Sequence, residues 1–418
     1  DHFRIGENIS LSHSWGTSVS NNAALGGTLY EAYKFQSITP VKNLEDEYAG
    51  NVFSDIPNPM GKLYRNKDNQ DKKSRLVGNL YAELHLFDGL MFKTSFGVDY
   101  NNLYRRSFSP KYDELNASEK LSSLSNRNAW NFNWVFTNTL TYNKTFGDHT
   151  INALLGMESL RNRYEYFTAS RDGFPSDDPN FRFLDAGDVG TQKNSGAATE
   201  YSMVSYFGKL DYNYHDRYLV AFTLRRDGSS RLGNNKWGNF PSVSAGWRFS
   251  DEKFMSFAKE ALTDAKFRIS YGITGNEAIG NYDYIYSYSP NSIYDGVGGV
   301  TPTRIGKDDL KWEETKQFNI GLDLNFWNSR LTITADYYDK YTDGLLANYQ
   351  LPKESGFDYM KTNVGEMSNR GFEIAIAGDV IRSKDWTWNA SFNISRNLNR
   401  IEKLSEGKSY MEGDIWWM

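Results

Sequence analysis

Between residues 204 and 250 the side chains change character at every second position, and this constrains the chain more than any other feature. From 204 to 214 the even positions read Val204, Tyr206, Gly208, Leu210, Tyr212 and Tyr214. The odd positions read Ser205, Phe207, Lys209, Asp211 and Asn213, with Phe207 as the one exception. His215, Asp216 and Arg217 reverse the chain into a second run, where Tyr218, Val220, Phe222 and Leu224 alternate with Leu219, Ala221, Thr223 and Arg225. After a polar loop, Val243, Ala245, Trp247 and Phe249 alternate with Ser242, Ser244, Gly246 and Arg248. Successive side chains of a strand point to opposite faces, so period two means a sheet with one apolar and one polar face. At about 3.3 Å per residue, roughly eleven residues tilted near 45° rise about 25 Å, the height of the apolar band of a transmembrane β-barrel. Soluble strands run about five or six residues, which is too short for that span.

The same pattern recurs along the chain in about thirteen strands. A weak first strand near residues 2–14 is followed by paired runs at 75–87 and 90–104, then 129–146 and 149–167. Further runs lie at 265–274, 311–327, 330–345, 360–380 and around 386–394. Their connections alternate in length without a break. Short turns are expected near 88, 147, 215, 251–264, 328 and 382, and long loops near 15–73, 105–127, 168–199, 228–238, 275–310 and 344–360. The loop at 275–310 is expected to hold short strands of its own. In 251–264, Phe254, Phe257, Ala258 and Leu262 recur at helical spacing, which predicts a short amphipathic helix. In bacterial barrels short turns face the periplasm and long loops face outside, so the long loops are assigned to the cell surface. The expected fold is all-β: an antiparallel transmembrane β-barrel occupying residues 1–418. Bacterial single-chain barrels close with an even number of strands, so an odd count leads to the expectation of part of a larger barrel. The start at Asp1, with neither an initiator Met nor a signal peptide, leads to the expectation of an N-terminus that is processed, truncated or incomplete.

A mean hydropathy of -0.65 would ordinarily argue for a soluble chain. It does not do so here, because only alternate strand residues of a barrel meet lipid. No window approaches eighteen apolar residues, so a helical span is excluded. The 28 Tyr, 26 Phe and 11 Trp suit aromatic girdles at the membrane edges. A net charge of -5 gives no sign of nucleic-acid binding. With no cysteine and five scattered histidines, no metal-ligand spacing exists. Glu313 and Glu314 are adjacent on a strand and point to opposite faces, so they cannot act together as glycosidase acids. The GVGG at Gly296 lacks the helix a phosphate loop needs. The chain is therefore read as a non-enzyme with no cofactor and no metal.

A charge facing lipid at mid-bilayer costs about 2–4 kcal/mol for Arg or Lys, so Lys209, Asp211, Arg225, Arg248, Arg268, Asp323 and Asp336 are assigned to the lumen. Arg226 falls on the apolar face, but at a strand end where that cost is small. Arg225, Trp237, Tyr282, Tyr284, Tyr286 and Tyr288 are the candidates for substrate contact; for the aromatic ones, loop packing or interface anchoring is the competing role. RRDGSSR, at 225–231, is read as a turn-shaping motif rather than an anion site.

RRDGSSRLGNNKWGNFPSVSAGWRFSDEKFM, then KFRISYGITGNEAIGNY from Lys266, LKWEETKQFNIGLDLNFWNSRLTITADYYDKYTDGLL from Leu310 and TNVGEMSNRGFEIAI from Thr362 carry a resemblance. In this order they resemble the barrel of SusC/RagA-type TonB-dependent transporters of Bacteroidota outer membranes, over at least Leu76 to Leu404. The resemblance implies a 22-stranded barrel with a plug domain that this chain does not show. It implies TonB and a SusD-like surface lipoprotein as partners, outer-membrane lipid around the wall, and an oligosaccharide or peptide as substrate. One alternative is a barrel of this family acting as a scaffold in a larger surface assembly. An alternative of another class is a secreted sugar-binding β-protein.

Overall fold

A computed structural model describes residues 2–17 and 27–404. In chain order the elements are β1 (Phe3–Gly16), α1 (Thr28–Lys34), α2 (Pro59–Asn66), β2 (Gln70–Phe87), β3 (Leu90–Ser109), β4 (Tyr112–Glu114) and β5 (Ala117–Glu119). They continue as β6 (Ser123–Phe146), β7 (His149–Asp172), β8 (Lys193–Tyr214), β9 (Tyr218–Ser229), β10 (Trp237–Arg248) and β11 (Leu262–Asn276). The remainder are β12 (Ser287–Tyr294), β13 (Val297–Arg304), β14 (Glu313–Phe326), β15 (Leu331–Asp343), β16 (Leu346–Gln350), β17 (Tyr359–Asn363), β18 (Glu366–Arg382) and β19 (Thr387–Lys403).

Thirteen of these strands form one antiparallel sheet in the order β1-β2-β3-β6-β7-β8-β9-β10-β11-β14-β15-β18-β19. Each wall strand thus pairs with the next wall strand in the chain, the meander that tight turns produce. The hairpins β4–β5, β12–β13 and β16–β17 lie in the long connections and pair only with themselves. Strands β1 and β19 are the free edges of the sheet as described.

Directly opposed residues share a face, so the register shows which side chains travel together. One row runs Tyr212, Val220, Ala245, Ile269, Ile320, Tyr337, Phe372. The neighbouring row runs Asp211, Ala221, Ser244, Ser270, Asn319, Tyr338, Gly371, Asn397. The two faces differ in polarity along the sheet, and nothing among the described residues covers the apolar one at Leu80, Leu155 and Phe392, which are 56%, 64% and 60% exposed. Leu322, Leu324 and Ile333 lie on the same face, and none is buried. A soluble sandwich would seal these residues under a second layer; a membrane wall leaves them for lipid.

The weak first strand is fourteen residues long and pairs with β2 throughout, its Ile5, Ile9 and Leu11 aligned with Ala82, Gly78 and Leu76. Pairing compensates for its poor pattern, including Glu7 set opposite Leu80. Several strands outrun the alternating pattern: β6 and β7 have 24 residues each, and β8 has 22. At a tilt near 45°, 24 residues rise about 55 Å, roughly twice the apolar band, so these strands project beyond the membrane. On the outward face of the projecting part, Arg161 pairs with Glu200 at 2.9 Å and Arg163 with Glu165 at 2.8 Å. The helix expected at 251–264 does not form. Phe249–Asp251 and Lys253–Ala258 are 3-10 turns and β11 already begins at Leu262; the segment is pinned to the wall at its start, where Glu252 accepts from Tyr218 and Trp247 and the Phe249 and Phe254 rings lie against Trp247.

Candidate functional site at the luminal wall and its mouth

The polar face is organised by ion pairs across and along its strands. Arg268 on β11 donates from Nε to Asp323 Oδ2 at 2.7 Å and from Nη2 to Asp323 Oδ1 at 2.9 Å. Its Nη2 also reaches Asp336 Oδ1, two strands away, at 3.0 Å. Gly321, which opposes both Arg268 and Asp336, makes the bridge possible. A Cβ there would sit 2.4 Å from Asp336 Oδ1 and 2.7 Å from Arg268 Cζ. Lys209 pairs with Asp211 at 2.9 Å and Arg248 with Asp264 at 3.1 Å.

Arg225 is the centre of a second cluster. Its Nε donates to both Asp227 oxygens at 2.8 and 2.9 Å, and its Nη2 to Ser205 Oγ at 2.8 Å. Glu158 lies 3.8 Å from Nη2. Ser205 and Asp227 are buried. The guanidinium also lies 5.2 Å from the centroid of the Phe207 ring, which accounts for the one apolar residue in the polar row. Phe207 has room because its partner is Gly156, where a Cβ would meet the ring at 2.2 Å. Arg225, a candidate for substrate contact, is thus held in the wall by Asp227, Ser205 and Glu158.

Small residues on this face, Ala221, Ser244, Gly246 and Gly321, leave a groove of about 440 Å³ that Asp211, Lys266 and Arg268 also line. It lies nearer the short-turn rim.

Above the wall, two loops close on a small core. Leu232, Phe240, Ile279, Leu310 and Trp312 are buried together, with Met203, Tyr284 and Leu346 packed against them. Trp312 Nε1 donates to the Lys236 carbonyl at 2.9 Å. Arg231 joins the loops: it donates to Asn281 Oδ1 at 2.9 Å and Glu277 Oε2 at 3.0 Å, and lies 4.1 Å from the Tyr201 ring centroid. The RRDGSSR stretch thus sends Arg225 inward, Arg226 outward and Arg231 into the loop core. Sequence reasoning missed this core because each loop supplies only isolated apolar residues; Leu232, Ile279 and Leu310 inside polar segments were the available signal.

The aromatic candidates do not converge on one platform. Tyr282 has φ +67°, its hydroxyl accepts from the Glu200 amide at 3.3 Å, and its carbonyl accepts from Arg304 at 2.8 Å. Tyr284 is absorbed into the loop core. Tyr286 and Tyr288 remain 58% and 61% exposed, Tyr288 on the β12–β13 hairpin. Trp237 lies apart from the other candidates. It opens β10 opposite Gly228 on the outward face, stacks on Tyr206 with ring centroids 6.2 Å apart, and carries Arg226 at 5.1 Å. Those contacts are those of an interfacial girdle residue.

A further loop assembly was not legible in advance. Glu114, buried on β4, accepts from the Asn58 amide at 2.6 Å and from Arg65 Nη1 at 2.5 Å. Asn58 caps α2 through Oδ1, and its Nδ2 donates to the Val41 and Ala49 carbonyls, both at 3.0 Å. Arg65 lies 3.8 Å from the Tyr112 ring centroid, and burial pushes the Tyr112 phenol up.

Known proteins match this architecture. The family model described as TonB dependent receptor-like, beta-barrel matches residues 11–410. TonB-dependent receptor P39 of Formosa agariphila is 35% identical over 372 residues, covering 88% of this chain and 35% of that protein. TonB-dependent receptor SusC of Bacteroides thetaiotaomicron is 29% identical over 445 residues, covering 97% of this chain and 42% of that protein. This chain therefore spans less than half the length of these relatives. Among solved structures, the RagAB peptide transporter superposes with a TM-score of 0.87 at 26% identity, over 99% of this chain and 47% of that one. The ferripyoverdine receptor of Pseudomonas aeruginosa, at 12% identity and a TM-score of 0.52, shares the fold alone. A wall with one lipid-ready face and one ion-paired face, matched over almost its whole length, belongs to the TonB-dependent receptor-like β-barrel family of the outer membrane.

Proposed function

We propose that the chain forms part of the wall and mouth of a TonB-dependent importer for an oligomeric nutrient, working with a SusD-like surface lipoprotein. The observation that carries this reading is the two-faced wall. Its outward rows are apolar and uncovered, and its inward cations Lys209, Arg225, Arg248 and Arg268 are each matched to carboxylates. Such a lining holds water without a strong field of one sign, which suits an uncharged glycan or a zwitterionic peptide better than a highly charged solute. The RagAB peptide transporter is similar over nearly the whole chain, which supports an oligomer as cargo. The uncovered apolar face counts against a secreted sugar-binding protein.

Tyr286 and Tyr288 are the aromatic candidates left free to meet cargo at the mouth. Replacing both by Ala should raise the half-saturation concentration for uptake by roughly two- to tenfold each, since an aromatic contact contributes about 0.5–1.5 kcal/mol. Uptake of labelled oligomers by cells that carry or lack the gene tests the reading. Equal uptake, with the surface lipoprotein lost from the membrane in the deletion strain, would instead establish the scaffold role.

A further inference from the structure

The connection between β10 and β11, residues 249–261, is the longest on the short-turn rim, and it carries large exposed aromatic side chains. Phe254 is 60% and Phe257 83% exposed. The segment does not hang beneath the lumen. Trp247 faces outward, in register with Tyr218 and Phe267, and the Phe249 and Phe254 rings lie 5.8 and 6.2 Å from it. Glu252 fastens the turn against that outer wall: it accepts from Trp247 Nε1 at 3.1 Å, from the Tyr218 hydroxyl, and from Arg217 Nη1 at 3.3 Å. Phe254 therefore continues the lipid-facing surface of the wall past its end, and Phe257, three residues further along the same 3-10 turn, lies on the same side of it. Lys253 and Lys259 flank them, exposed and with no carboxylate partner among the described residues.

We infer that residues 249–258 are an interfacial anchor, seated at the boundary between headgroups and acyl chains of the leaflet on the short-turn side. Three features fit a phospholipid surface. Aromatic rings are favoured at the level where chains meet headgroups. The flanking lysines stand where they meet anionic phosphates. The Phe249 and Phe254 rings follow directly from Trp247 on the outward face of the wall. This inference rests on the outer-membrane barrel reading, and its test separates the two.

The described chain contains no cysteine in its 418 residues, so a spin label can be placed by single substitutions in the complete receptor once any cysteine elsewhere is removed. Phe257→Cys and Phe254→Cys report on the anchor, Leu322→Cys on the wall, and Lys384→Cys on the opposite case of an aqueous turn at the same rim. In vesicles of phosphatidylethanolamine and phosphatidylglycerol, labels at 254, 257 and 322 should collide more with oxygen than with a water-soluble nickel chelate, and the label at 384 should do the reverse. If 254 and 257 behave like 384 while 322 stays lipid-like, the anchor is wrong and the barrel stands. If 322 also behaves like 384, both are wrong. Immobile labels at 254 and 257 that meet neither probe would mean a protein surface covers them, which also overturns the anchor.

Discussion

At the scale of the residue, adjacent positions on a strand have opposite requirements. Leu322 and Asp323 are neighbours, yet the first meets lipid beside Ile320 and Leu324, while the second holds Arg268. Leu322→Arg should cost about 2–4 kcal/mol and cut the yield of assembled barrel sharply. Asp323→Asn should cost within about 1 kcal/mol, because Arg268 keeps Asp336 at 3.0 Å and the pair is partly hydrated. The fraction of heat-modifiable, folded barrel on a gel measures both variants, and equal losses would mean the lipid face has been misassigned. These facing rules were legible in the sequence because period two is a direct consequence of strand geometry. The fate of individual arginines was not: Arg225 and Arg226 are adjacent, and only the register shows that one meets Asp227 and the other Trp237.

At the scale of the element, the strands could be read and the loops could not. A strand repeats its signal over ten or more residues, whereas the loop cores draw one residue from each distant segment: Glu114 with Asn58 and Arg65, or Leu232 with Leu310. The upper parts of β6, β7 and β8 read as loop in the sequence because beyond the lipid band both faces become polar and the alternation fades. Glu114→Ala leaves Arg65 buried without its carboxylate, and breaking a buried pair costs about 3–5 kcal/mol. That cost should fall on the loop: residues 27–69 should become open to limited proteolysis while the wall keeps its heat resistance. The turn at 249–258 responds to acid instead. The Tyr218 hydroxyl, then the Trp247 indole, hold the Glu252 carboxylate below the ordinary glutamate range. A carboxylate lowered in the folded state contributes stability that is complete above its unfolded pKa and is lost as pH falls through the folded one. A spin label at 257 should therefore keep its mobility from neutral pH down to the ordinary glutamate range and gain mobility only below it. Glu252→Gln should show the mobile spectrum already at neutral pH, and loosening between pH 6 and 7 would point to a different group.

At the scale of the whole molecule, the two rims differ in kind. On one, the wall strands are joined by 88–89, 147–148, 215–217, 249–261, 327–330 and 383–386; on the other, by segments that contain helices, hairpins and their own buried residues. A soluble meander has no reason to sort its connections in this way, whereas outer-membrane barrels do, with short turns on the periplasmic side and longer loops outside. The tip of the β12–β13 hairpin at Gly296, with φ +74° and open space around it, should therefore lie outside the cell, and Asn328 in its tight turn should face the periplasm. A protease site inserted after Gly296 should be cut in intact cells. The same site after Asn328 should be cut only once the outer membrane is made permeable, so cleavage after Asn328 in intact cells with protection after Gly296 would invert the molecule. Such an inversion would place the Tyr286 and Tyr288 surface on the periplasmic side and remove it as the first point of contact with nutrient.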